Sequence, residues 1–166
     1  MTQILFVSNK NLFRSPLAAV ILVSKLRDLG LDDLVMVDSA GLTIGESDEK
    51  VFRTTILGTK LRKIASKKGY VLGDRRTRRV TQSDFKRFEY ILAMNWEDLS
   101  AIRKSCPKKY WCKLHLIMRF APNSINATVG MPQMDNLKSI EAVFKSIEDA
   151  CRGLTEMIRL RSSKVA

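Results

Sequence analysis

Residues 4–16 read Ile4-Leu5-Phe6-Val7-Ser8-Asn9-Lys10-Asn11-Leu12-Phe13-Arg14-Ser15-Pro16, and the change of character along them decides the fold. The opening apolar run is that of a strand buried on both faces, and it predicts a strand from Gln3 to Val7. The chain then turns through Ser8 to Phe13. Pro16 fits the first turn of a helix, so a helix is expected from Pro16 to about Leu29, with Ser15 as N-cap and Gly30 as its stop. A strand, a short loop and a helix start with Arg14 at its mouth make an anion cradle. The first amides of a helix lack intrahelical acceptors and carry the positive end of its dipole.

Outward from this stretch, apolar runs and helical patterns alternate to the end of the chain. A second strand is expected at Val35-Met36-Val37, running into Asp38-Ser39-Ala40-Gly41, and then a polar loop from Leu42 to Lys50. A helix from about Val51 to Lys68 stops at Gly69. Thr81 and Asp84 pair as a capping box for a short helix or turn near Ser83 to Phe88. Tyr90 to Met94 forms a third strand, Asn95 caps a helix running to about Ser105, and Lys113 to Ile117 forms a fourth strand. Met118 to Asn136 is a long loop, of a length that usually carries function. In the last helix Leu137, Ile140, Phe144, Ile147, Cys151, Leu154 and Ile158 make one apolar stripe for packing on the sheet. The expected class is α/β: three layers, a four-stranded parallel sheet with helices on both faces, in a single domain over residues 1–166. Ligands in such sheets bind at the carboxyl ends of the strands, which is where Ser8 follows Val7.

The composition is that of an ordinary globular domain, 45% hydrophobic and 28% charged over 166 residues. No apolar run reaches membrane-spanning length and no leader pattern opens the chain, so a cytoplasmic protein is expected. Cys106, Cys112 and Cys151 form neither a disulfide framework nor a metal-ligand spacing. With His115 the only histidine, no metal site and no cofactor are expected. The three cysteines read as reduced, partly buried apolar residues. The net charge of +12 attracts anionic partners. Its densest block, Arg75-Arg76-Thr77-Arg78-Arg79, lacks the interleaved aromatics of a single-strand-binding platform. It reads as a solvated face or a positive rim around the anion pocket; a nucleic-acid or scaffold role would rest on charge alone.

The stretch Phe6-Val7-Ser8-Asn9-Lys10-Asn11-Leu12-Phe13-Arg14-Ser15-Pro16-Leu17-Ala18 resembles the phosphate loop of the low-molecular-weight protein tyrosine phosphatases, roughly V-C-x-G-N-x-C-R-S-P-x-A. Asp38 to Gly41 is similar to the family's second strand exit. Arg76, Arg78, Val80, Thr81, Asp84 and Phe85 are similar to its R-x-R-x-V-T-x-x-D-F stretch, Tyr90 to Met94 to strand three, and Ile147 to Leu154 to the last helix. The resemblance spans about residues 3–160. It implies the same four-stranded fold and a loop, Ser8 to Ser15, that holds phosphate, sulfate or a phosphorylated protein ligand. Arg14 would fork onto the phosphoryl oxygens, Asn11 would tolerate a left-handed conformation and brace the turn, and Ser15 would cap the helix and hydrogen-bond the nucleophile.

The departures concern chemistry. Ser8 stands at the family's nucleophilic cysteine, Lys10 at a loop glycine and Phe13 at a second cysteine. Met131, beside Pro132, falls on the general-acid aspartate, and Gln133 and Met134 fall on tyrosines. Asp135 is the nearest carboxylate, displaced by several residues and suited to capping the helix that begins at Leu137. An engineered cysteine-to-serine exchange in an active phosphatase would explain Ser8 but not Met131. Loss at both positions points to a natural pseudophosphatase that binds without hydrolysing. An arsenate reductase built on this loop would need its cysteine besides a relay pair such as Cys106 and Cys112. Trp96 and Trp111 read as packing residues, with a place on the rim of the pocket as the alternative, and His115 reads as a structural residue of strand four.

Overall fold

The computed structural model describes residues 1–163 apart from 46, 47, 49, 51, 53, 54, 74–76, 134 and 135. Among the described residues four strands, β1 (Thr2–Ser8), β2 (Val35–Gly41), β3 (Tyr90–Ala93) and β4 (Leu114–Leu116), are interleaved with five named helices. These are α1 (Arg14–Asp28), α2 (Ile56–Lys67), α3 (Gln82–Arg87), α4 (Trp96–Ser105) and α5 (Leu137–Ser162). All strand pairs are parallel, in the order β2-β1-β3-β4. The strand order reverses between β1 and β3, which opens a crevice at the carboxyl end of β1. Ser8 ends β1 there, opposite Gly41.

Alternation along β1 divides the core. Ile4 and Phe6 pack into the cluster shared with α1 and α5, whereas Leu5 and Val7 pack with Phe85, Phe88 and Ile102 of the other layer. The stripe on α5 is buried from Ile140 to Ile158, at about 1.5–3 kcal/mol for each large side chain removed from water. Leu137, the first residue of α5, is the exception, 52% exposed. No helix among the described residues is long and apolar enough to cross a membrane.

The caps follow the sequence with one correction. Thr81 and Asp84 form the capping box of α3, and the Asn95 side chain accepts the Asp98 amide at the start of α4. Gly30 and Gly69, with φ of +65° and +85°, end α1 and α2, as left-handed stops do. Ser15 is not an N-cap. Helix α1 begins at Arg14 with Phe13 in the cap position and no side-chain cap. Pro16 is therefore its third residue, still within the turn whose amides need no intrahelical acceptor.

For the next helix, α2, the expected start at Val51 lies outside the described residues. The helix starts at Ile56, where Thr55 Oγ1 accepts the Gly58 amide at 3.0 Å. Strand β4 is shorter than expected, because Lys113 belongs to the 3₁₀ turn before it. Its ammonium caps the last carbonyls of α3 and the residue beyond them, Phe85, Lys86 and Phe88, at 2.8–3.1 Å.

Candidate anion-binding site

The loop from Ser8 to Ser15 is braced by its own polar side chains. Ser15 donates to Asn11 Oδ1 at 2.9 Å. Its single hydroxyl proton is thereby engaged, so the 2.7 Å contact between Ser8 and Ser15 oxygens has Ser8 as donor. Asn11 Nδ2 reaches the Ser39 carbonyl at 3.4 Å. Asn11 has φ of +52° and is the one non-glycine among the described residues with positive φ, in keeping with the tolerance of asparagine for that region. Lys10 thus occupies the glycine-like position without left-handed strain.

The chain after β2 straps the loop from outside. Leu42 and Thr43 amides both donate to the Asn9 carbonyl at 2.8 Å, the Thr43 hydroxyl donates to Asn9 Oδ1, and Lys10 pairs with Asp48 at 3.1 Å. Phe13 turns inward, 2% exposed and edge-on to Phe144 at 5.7 Å. Within the loop, Phe13 and Leu12 can offer only backbone to a ligand.

Arg14 is 5% exposed although it opens α1. One edge of its guanidinium is fixed: Nη1 donates to the Val129 carbonyl at 2.9 Å and lies 3.4 Å from Asp98 Oδ2. Nε and Nη2 have no partner among the described residues. They form the two-donor edge that matches two oxygens of a tetrahedral oxyanion. Burial pulls the guanidinium below its ordinary pKa, and Asp98 and Glu97 push it back up; it stays charged.

Asp98 escaped sequence reasoning. The available signal was an aspartate in the first turn of a capped helix that starts where β3 ends, at the same edge as the loop. Burial lifts its carboxyl above the ordinary range while Arg14 draws it down.

Val129 also ties the long segment to this edge, its amide donating to the Met94 carbonyl at 2.8 Å. Met131, two residues on, is 57% exposed, and its thioether carries no transferable proton. Gln133 is exposed, with its amide on Ser139 Oγ at 3.0 Å. Met134 and Asp135 lie outside the described residues, and the cap expected of Asp135 is supplied by Asn136, whose side chain accepts the Ser139 amide.

The packing expectation changes for Trp96 and, among the cysteines, for Cys112. Trp96 is 60% exposed at the start of α4. Trp111 is partly buried, donating to the Cys106 carbonyl at 3.0 Å under the Arg103 guanidinium. His115 lies in β4 beside Tyr90 and Phe120. Cys106 and Cys151 are buried, whereas Cys112 is exposed.

The basic block is not simply a solvated face. Arg75 and Arg76 lie outside the described residues. Arg78 bridges Asp38 and Asp84 at 2.8 and 2.9 Å, and Arg79 donates to the Ile44 carbonyl of the strap. These two arginines brace the wall behind the loop.

The fold agrees with what the chain is similar to. The family model described as low molecular weight phosphotyrosine protein phosphatase matches residues 3–164. The chain belongs to that family. It is 27% identical to low molecular weight phosphotyrosine protein phosphatase 2 of Drosophila melanogaster over 96% of this chain and 94% of that one. A crystal structure of a protein tyrosine phosphatase from Entamoeba histolytica, with Hepes in its active site, superposes with a TM-score of 0.80 at 27% identity, covering 99% of each chain. A serine variant of the arginine phosphatase YwlE, solved with a phosphorylated active-site serine, has the same fold. Its TM-score is 0.77 at 21% identity, covering 94% of this chain and 97% of that one.

Proposed function

We propose that this member of the family is a pseudophosphatase that binds phosphate or a phosphorylated protein ligand in the Ser8–Arg14 loop, with hydrolysis lost or very weak. The observation that carries the reading is Arg14 itself. One edge of it is anchored on Val129 and Asp98, and its other two donors are free beside a Ser8 hydroxyl that donates to Ser15. Binding needs only that fork and the loop amides. Turnover in the manner of the family needs a thiolate and a proton donor.

A thiol ionises near about pH 8.5 and is readily pulled lower by such a loop, whereas a neutral hydroxyl is not. Met131 at the acid position supplies no proton, and general acid catalysis is worth on the order of a hundred- to ten-thousand-fold. Neither a metal nor a cofactor enters this reading, and a cytoplasmic setting is part of it, checked by fractionation of expressing cells.

The YwlE variant supports a second reading, in which the loop serine accepts a phosphoryl group once and holds it. Ser8 would then gain the phosphoryl and lose its proton to the departing aryl oxide. The serine ester would persist, because an alkoxide is a poor leaving group. Incubation with an aryl phosphate separates the two readings. The first predicts no released phenol, an unchanged protein mass, and phosphate binding that disappears in Arg14→Ala. The second predicts one equivalent of phenol and a protein heavier by one phosphoryl group. Sustained turnover would overturn both.

A further inference from the structure

Asp98, which helps to anchor Arg14, is a buried acid whose own protonation that reading does not use. Its side chain is 3% exposed, and Oδ2 is sealed from solvent without a hydrogen-bond partner. It stands 3.4 Å from Arg14 Nη1, close enough for attraction, while that nitrogen's aligned hydrogen bond goes to Val129. The backbone amide of Asn9 also acts on the carboxylate. Two positive groups of the loop, Arg14 and the Asn9 amide, therefore already face an internal anion.

An ionised Asp98 offsets the Arg14 charge and repels an entering dianion in a poorly solvated site. Protonation removes that repulsion and turns the partnerless oxygen into a donor. The other charges acting on this carboxyl are Arg14 from α1, which favours ionisation, and Glu97 from α4 itself, which opposes it. Lys10 and Asp48 at the mouth are paired with each other.

We propose that Asp98 is a proton-linked counterion of the cradle, so that an oxyanion enters the Ser8–Arg14 loop together with one proton taken up by Asp98. The proposal rests on the reading of that loop as an anion site. Burial raises the carboxyl above its ordinary value in the empty site, and a second negative charge beside it raises it further.

Sulfate is the suitable probe, because its charge is constant from about pH 5 to about pH 8, where phosphate and histidine titrate. Titration calorimetry in two buffers of different ionisation enthalpy counts the protons taken up. The expected result is uptake approaching one proton, with the sulfate Kd rising about tenfold per pH unit above the Asp98 pKa of the empty protein. Asp98→Asn should bind sulfate without a pH slope and on the order of tenfold more tightly at the alkaline end. Lys10→Ala should keep the slope.

Sulfate binding without proton uptake would overturn the proposal, as would weaker binding by a folded Asp98→Asn. If that variant does not fold, the proton count on the unmodified protein decides. No sulfate binding at any pH, by the unmodified protein as by Arg14→Ala, would instead overturn the reading of the loop.

Discussion

Two stretches meet at the carboxyl edge of the sheet and are held in different ways. The turn from Ser8 to Ser15 is fixed through buried side chains: Asn11, Arg14 and Ser15 are each 5% exposed or less and are hydrogen-bonded to one another or to neighbouring strands and segments. The segment from Ala121 to Gln133 is attached at points, through Val129 to Met94, Asn126 to Ser146 and Gln133 to Ser139. Met131 projects from it into solvent. The arrangement proposed to bind an anion is thus also one that packs the fold, whereas Met131, proposed to stand at the proton-donor position, is 57% exposed. On the proposed reading, substitution at this exposed position is expected to cost the fold little, so that proton donation is lost while the cradle persists.

The sharpest way to break this contrast is Asn11→Ala. It places a residue with no left-handed preference at φ of +52° and removes the contacts to Ser15 and Ser39. The expected loss is about 3 kcal/mol, roughly one for the backbone and one for each hydrogen bond. Urea unfolding checks it, and a loss within error would mean the turn is not braced as described.

A smaller effect is expected behind the loop, at Arg78→Met. It removes the bridge between Asp38 and the buried Asp84, at about 2 kcal/mol once solvent exposure on the Asp38 side is discounted. This change also alters the pH dependence. Burial alone would raise the Asp84 carboxyl, but hydrogen bonds from Arg78 and from the Thr81 amide outweigh it and hold the group below its ordinary value. A carboxyl held low in the folded state stabilises fully above its unfolded pKa of about 3.9, and that contribution is lost as pH falls toward the folded value. Unfolding measured at neutral pH and again below about pH 4 should therefore show a smaller acid loss in Arg78→Met than in the unmodified protein. An equal loss would remove Asp84 from the account.

Most of the fold was legible because β1, β3 and α5 announce themselves by apolar run or period, and Asn95, Thr81 and Gly30 mark ends by known chemistry. The start of α1 was misread because Pro16 suits the first helical position, and nothing local to the sequence shows that the chain becomes helical two residues earlier. With Arg14 as the first residue of the helix, one edge of its guanidinium meets Asp98 and the Val129 carbonyl.

The cradle residues could be placed from the loop pattern. The role of Asp98 could not, because it depends on β3 delivering α4 beside β1, a contact between residues far apart in sequence. Arg78 was misjudged for the same reason: a run of basic residues looks solvated until Asp38 and Asp84 are brought to it.

The central claim is that binding and catalysis have come apart between Ser8 and Met131. The direct measurement is aryl phosphate turnover by the unmodified protein, by Ser8→Cys, and by Ser8→Cys combined with Met131→Asp. The account predicts no turnover in the first, little in the second, and a gain on the order of a hundredfold or more in the third over the second. Full activity restored by Ser8→Cys alone, or steady turnover by the unmodified protein, would contradict it.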